Sequence, residues 1–171
     1  MKELKIINPQ NASEEEIRGY RVREASRAVV VNRDGRVVLL HVSKYNYYKL
    51  PGGGLEGSED KIAALKRECR EEIGCEIEVL YELGSIIEYR KMFELKQISY
   101  CYLAKVTGDK SSTNFTEDEI KDGFGEVWMS YEDAVKELVE SKATDIEGRE
   151  FIVPRDTLLL KEAEQYLVDL Y

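Results

Sequence analysis

The chain is poor in the residues that soft-metal and redox chemistry use. Its 171 residues include one histidine, His41, and three cysteines with no C-x-x-C pair among them. That argues against a zinc site, and an odd set of Cys69, Cys75 and Cys101 argues against a disulfide framework. Cysteine usage of this kind fits a reducing, cytoplasmic setting. His41 follows the run "VVLL" with no obvious serine or aspartate partner, so it reads as a strand residue rather than a catalytic one.

Basic charge is also scarce. There are 25 Lys and Arg against 34 Asp and Glu, a formal net charge of -9. A sequence-independent nucleic-acid binder would need a basic face, so nucleic acid is excluded as a partner class. An anionic substrate would be repelled by the protein's own field unless a bound divalent cation reversed it locally. No apolar run approaches the roughly 18 residues of a membrane span, and "MKELKIINPQ" lacks a signal-peptide core, so no membrane association is expected. Internal repeats, low-complexity tracts and interdomain linkers are missing. One domain over 1–171 is expected, with 1–25 as an N-terminal extension: an extra strand, or an arm for a homodimer.

What is present alternates between strand and helix patterns. "NASEEEIRGY" (Asn11–Tyr20) spaces Ser13 and Glu16 like a capping box, which predicts a short helical turn. "RAVVV" (Arg27–Val31) and "RVVLLHV" (Arg36–Val42) flank Asp34-Gly35 as a β-hairpin. "YNYYKL" (Tyr45–Leu50) is a short strand stopped by Pro51. Ser58–Ile73 reads as a helix with Ser58 as N-cap, an apolar stripe of Ile62, Leu65, Cys69 and Ile73, and Gly74 just past its end. Glu76–Arg90 and Lys96–Val106 are further strands, and Thr107–Gly125 is a long polar loop. Glu126–Ser130 is a brief strand, Tyr131–Lys142 an amphipathic helix, and a last helix runs from about Arg155 to Leu170. The fold class is therefore α/β with mixed strand pairing.

One stretch is costly without a purpose. The helix carries Glu68, Glu71 and Glu72 within a sector of about 100°, directly after three glycines, although like charges at these spacings repel. Three carboxylates beside an apolar stripe suit a hard cation such as Mg²⁺ or Mn²⁺. Glycines before the helix allow tight backbone, bring a carbonyl near the metal and leave room for phosphate.

Gly53, Glu59, Arg67, Glu68, Glu71, Glu72 and Gly74 satisfy G-x(5)-E-x(7)-R-E-U-x-E-E-x-G-U, with cysteine at both aliphatic positions, Cys69 and Cys75. The pattern resembles the signature box of the Nudix hydrolase superfamily. It covers 23 of 171 residues, and a chance match in a chain of this composition is on the order of one in 10⁴–10⁵. The resemblance implies an α/β/α sandwich and Mg²⁺- or Mn²⁺-dependent hydrolysis of a nucleoside diphosphate linked to another moiety. It implies Glu68, Glu71, Glu72 and the Gly52 carbonyl as metal ligands, with Glu68 or Glu71 as general base. Glu59 and Arg67 flank them, Arg67 fixing a glutamate through a bidentate pair.

A further acid from the long loop is expected among Glu117, Asp118, Glu119 and Asp122. Gly53, Gly54, Tyr47, Tyr48 and Leu50 are candidates for substrate contact, as are Phe151, Arg155 and Asp156. The marks of NADH-, coenzyme A-, ADP-ribose- and dinucleoside-polyphosphate-cleaving branches are missing. By elimination the chain is similar to the MutT-like branch, which cleaves (d)NTPs, oxidised ones included, to monophosphate and pyrophosphate. ADP-ribose or a nucleotide sugar is the alternative substrate; a non-catalytic nucleotide-sensing module is the alternative of another class.

Overall fold

A computed structural model describes residues 1–167. Its strands are β1 (Glu3–Ile7), β2 (Arg21–Val31), β3 (Val37–Val42), β4 (Tyr47–Lys49), β5 (Gly52–Gly54), β6 (Glu76–Arg90), β7 (Leu95–Thr107) and β8 (Phe124–Met129). They form one mixed sheet in the order β1-β6-β7-β2-β3-β4, with β5 on β2 and β8 on β3. β1–β6 and β2–β7 are parallel and the remaining pairs antiparallel.

Strand parity sorts two cores onto the two faces. Ala28, Val30, Val38 and Leu40 face α2 (Lys61–Ile73) and its Leu65, Cys69 and Ile73. Val29, Val31, Val37 and Leu39 pack on the other face with Leu138 of α4 (Tyr131–Glu140) and Leu159 and Leu160 of α5 (Val153–Leu167). Helices therefore cover both sides, as an α/β/α sandwich requires.

Local chemistry explains most element ends. α1 (Glu14–Arg18) opens with the Ser13–Glu16 capping box, and Gly74 closes α2 at φ 64°. The α2 N-cap is Asp60 rather than Ser58: its carboxylate accepts from the amides of Ile62 and Ala63, both at 2.8 Å. Further differences from the expected elements lie along the chain. Thr107–Gly125 is not all loop, because Thr116 and Glu119 form a second capping box that starts α3 (Glu117–Lys121). β2 begins at Arg21, six residues before its apolar run, and the glycine strand β5 has no apolar pattern to announce it; β1 falls within the N-terminal extension. A π-helical turn, Gly148–Ile152, leads into α5. The expected end of the last helix at Leu170 lies outside the described residues.

Candidate active site

The glycine strand and the acidic helix are brought together by β2. β5 pairs antiparallel with it, Arg27 opposite Gly52 and Ala25 opposite Gly54. Gly52 sits at φ 130°, where a side chain would strike the backbone of Ser26 and Arg27. Beside it lies a cleft of about 290 Å³, lined by Gly52, Gly53, Gly54, Glu68 and Glu72 among others.

Arg67 organises the acidic face. Its Nε and Nη2 donate to the two oxygens of Glu59 at 2.9 and 3.0 Å, a bidentate pair, and Nη2 also donates to the Gly54 carbonyl at 2.9 Å. Its Nη1 donates to Glu68 at 2.9 Å and Glu71 at 3.2 Å. The hydrogen bonds to Glu59 hold the Arg67 guanidinium above its ordinary range and draw the partly buried Glu59 carboxyl below its own.

Glu72 is held differently. It is buried, accepts from the Gly52 amide at 2.6 Å, and pairs with Lys49 Nζ at 2.9 Å. Burial pushes its carboxyl up to about 7 against the pull of Lys49, and the Glu68 charge adds to the rise.

Among the described residues, no group of three or more His, Cys, Asp or Glu is arranged to hold a metal ion. Glu68 and Glu71 turn to Arg67, and Glu72 to Lys49. The Gly52 carbonyl accepts from Arg27 Nη1 at 2.9 Å. The donors still suit a hard cation, because two carboxylates already share one cationic nitrogen and the third is buried beside a lysine.

Other expectations divide. Tyr47 lines the cleft, but Tyr48, next along β4, points away and stacks on His41 with centroids 4.6 Å apart. Leu50 is fully buried in the core, and only its amide is polar, donating to Asp156 at 2.8 Å. Neither Tyr48 nor Leu50 is placed to contact a ligand in the cleft. Glu71 lies outside the cleft lining. Of the loop acids, Glu119 and Asp122 line the cleft; Glu117 and Asp118 are almost fully exposed. Arg155 lines the cleft, whereas Phe151 and Asp156 are buried behind it.

Of the basic residues at the cleft the sequence pattern pointed only to Arg155. Arg23, Arg27, Lys49, Arg90 and Arg155 all line the cleft, opposite Glu68, Glu72, Glu119, Asp122 and Glu147, so cations gather there as densely as carboxylates although the chain as a whole is anionic. The signal was the odd parity of Arg23 and Arg27 in a β2 that starts earlier than its apolar run.

The NUDIX domain model matches residues 21–149, which include every one of the seven box positions. Diphosphoinositol polyphosphate phosphohydrolase 2 of Mus musculus is 30% identical over 121 residues, 70% of this chain and 64% of that protein. The match thus spans less than two thirds of that relative. Among solved structures, the Ap4A hydrolase of C. elegans superposes with a TM-score of 0.60 at 18% identity, covering 86% of this chain and 99% of that one. A NUDIX hydrolase from Nitrosomonas europaea gives 0.60 at 17% identity, covering 87% and 90%. At such identities the structures show a shared fold.

Proposed function

The chain belongs to the Nudix family, and we propose that it is a divalent-metal-dependent pyrophosphohydrolase cleaving a nucleoside diphosphate linked to X, with (d)NTPs, oxidised ones included, as first candidates. The observation that carries this is the clamp of Arg67 on Glu59, Glu68 and Glu71 beside a glycine strand open to the cleft.

Glu68, Glu71 and Glu72 would hold the cation, Mg²⁺ or Mn²⁺, with Arg67 and Lys49 keeping their carboxylates in position. Bound there, it would offset phosphate charge and stabilise the charge that develops on the leaving group. The protein's own groups do the rest. Gly53 and Gly54 leave room for the diphosphate, and the cleft arginines orient it through charge-assisted hydrogen bonds. Glu68 lines the cleft while Glu71 does not, so Glu68 is the general base, its carboxylate accepting the proton of the attacking water. Glu119, which also lines the cleft, is the favoured further acid.

A second substrate reading has support in the relatives named for diphosphoinositol polyphosphates and in the five cationic side chains around the cleft. The test is product analysis by mass spectrometry with Mg²⁺, using dNTPs, 8-oxo-dGTP, ADP-ribose, sugar nucleotides, diadenosine polyphosphates and a diphosphoinositol polyphosphate. Monophosphate and pyrophosphate from a dNTP, lost in Glu68→Gln, is the expected result. Turnover of the inositol compound alone would move the second reading to the front. No turnover of any compound, with tight binding of one, would make the chain a nucleotide-sensing module.

A further inference from the structure

Behind the glycine strand, one face of the sheet ends in charge rather than hydrocarbon. Arg23 and Arg27 of β2, Gln97 and Ser99 of β7, and Glu88 and Arg90 of β6 occupy adjacent strands. Their parity is that of Val29, Cys101 and Ile86, which belong to the core under α5. From α5, Arg155 and Asp156 close over them. Arg27, Arg90 and Arg155 are all buried, the last completely.

The internal partners do not use up these guanidiniums. Arg155 donates to Asp156 at 2.7 Å and to Glu88 at 3.4 Å, and Arg90 donates to Glu88 at 3.0 Å. Arg27 reaches only neutral oxygens, the Gly52 carbonyl at 2.9 Å and Ser99 at 3.4 Å. Arg23 likewise donates to the neutral Gln97 at 2.8 Å. Three buried arginines therefore share two buried carboxylates, Glu88 and Asp156, and Glu147 approaches Arg90 only at 3.6 Å from a half-exposed position. Arg155 Nη2 and Arg90 Nε are buried with no hydrogen-bond partner. Burial of a charge is costly unless it is paired, and each orphaned donor adds its own desolvation penalty. Arg27 registers the strain: burial, with the Arg155 charge adding to it, pulls its guanidinium down to about 10.

All four arginines line the same cleft as Glu68 and Glu72. We infer that this arginine floor is an anion subsite for a phosphate group of the substrate beyond the linkage held at the acidic helix. The substrate class is then a compound rich in phosphate, such as a nucleoside triphosphate or a polyphosphorylated polyol, in preference to ADP-ribose or a sugar nucleotide. That the anion belongs to the substrate rests on the hydrolase reading; the subsite itself rests on the excess of buried guanidinium charge and the unpartnered donors of Arg90 and Arg155.

The test separates the two. Full-length protein in EDTA is titrated with inorganic tripolyphosphate by calorimetry. Wild type binds, with an affinity that falls as salt is raised. Arg90→Gln and Arg23→Gln each weaken binding by about tenfold, the worth of one charge-assisted hydrogen bond. Arg33→Gln, the same charge change in the exposed β2–β3 turn, leaves it unaltered. Arg23 is exposed, so its variant keeps the test open if Arg90→Gln fails to fold. No binding by wild type, or equal binding by wild type and both arginine variants, overturns the subsite even if nucleotides are hydrolysed. Arginine-dependent binding without turnover of any compound upholds the subsite and overturns the hydrolase reading. With turnover, Arg23→Gln raises KM for a nucleoside triphosphate more than for ADP-ribose; an equal rise for both overturns the preference.

Discussion

The carboxylate of Glu72 accepts a 2.6 Å hydrogen bond from the backbone amide of Gly52, joining the last turns of α2 to the glycine strand. The same carboxylate, buried and paired with Lys49, is pushed up to about 7. A carboxyl raised in the folded state binds more protons than the unfolded chain between its ordinary 4.5 and about 7. Its ionisation therefore costs stability as pH rises through that window, by up to about 3 kcal/mol. Chemical denaturation in EDTA is expected to give a stability falling from pH 4.5 to 7.5, with the Glu72 part of the slope removed in Glu72→Gln. In that variant metal-free stability at pH 7.5 is unchanged or higher, while kcat drops about a hundredfold with loss of a metal ligand. Full activity would refute the ligand assignment.

Adjacent glycines should respond in opposite ways. A methyl group at Gly52 meets backbone, with Arg27 Cα at 2.7 Å, and the residue's φ of 130° suits no side chain. Gly52→Ala should cost about 3 kcal/mol or more, read as a large fall in Tm. At Gly53 the added methyl meets the Glu68 carboxylate, the far end of a flexible side chain. Gly53→Ala should stay folded within about 1 kcal/mol of wild type and lose most of its kcat, because Glu68 is displaced.

Arg67→Lys keeps the charge and loses the fork. A lysine cannot bind Glu59 through two parallel bonds while also reaching Glu68, Glu71 and the Gly54 carbonyl. Activity should fall about 10–100-fold, as when groups that orient metal ligands are removed. Wild-type kcat in this variant would make Arg67 an ordinary surface arginine.

Divalent cation should stabilise the fold if the carboxylates hold it. With Mg²⁺ well above its dissociation constant, say about 100-fold, binding is worth about 2.7 kcal/mol. Differential scanning calorimetry should record a higher Tm for wild type with Mg²⁺ than with EDTA, and a smaller rise for Glu68→Gln. No shift in wild type would favour a purely structural acidic helix.

Much of the site could be read in one dimension because the box is local. Glu59, Arg67, Glu68 and Glu71 lie on a single helix and the turn before it, so spacing alone brings them together, and Arg67 does bind Glu59, Glu68 and Glu71. The helix itself followed from its apolar stripe, and the β2–β3 hairpin from its Asp34-Gly35 turn. Tyr48 and Leu50 lie off the cleft because proximity in sequence to the glycines says nothing of which way a strand residue points. Tyr48 faces away from the cleft and Leu50 is sealed in the core.

The sequence by itself determined the acidic helix, its glycine entry and the class of chemistry, since each depends on residues within one turn or one strand of each other. Tertiary structure alone decided which cations gather at the cleft. Arg23, Arg27, Arg90 and Arg155 are up to 132 residues apart, and two strands, β2 and β6, and α5 carry them to one place. A net charge of -9 is a sum over the whole surface; the field in a cleft is set by the few charges nearest to it, screened least where they are buried.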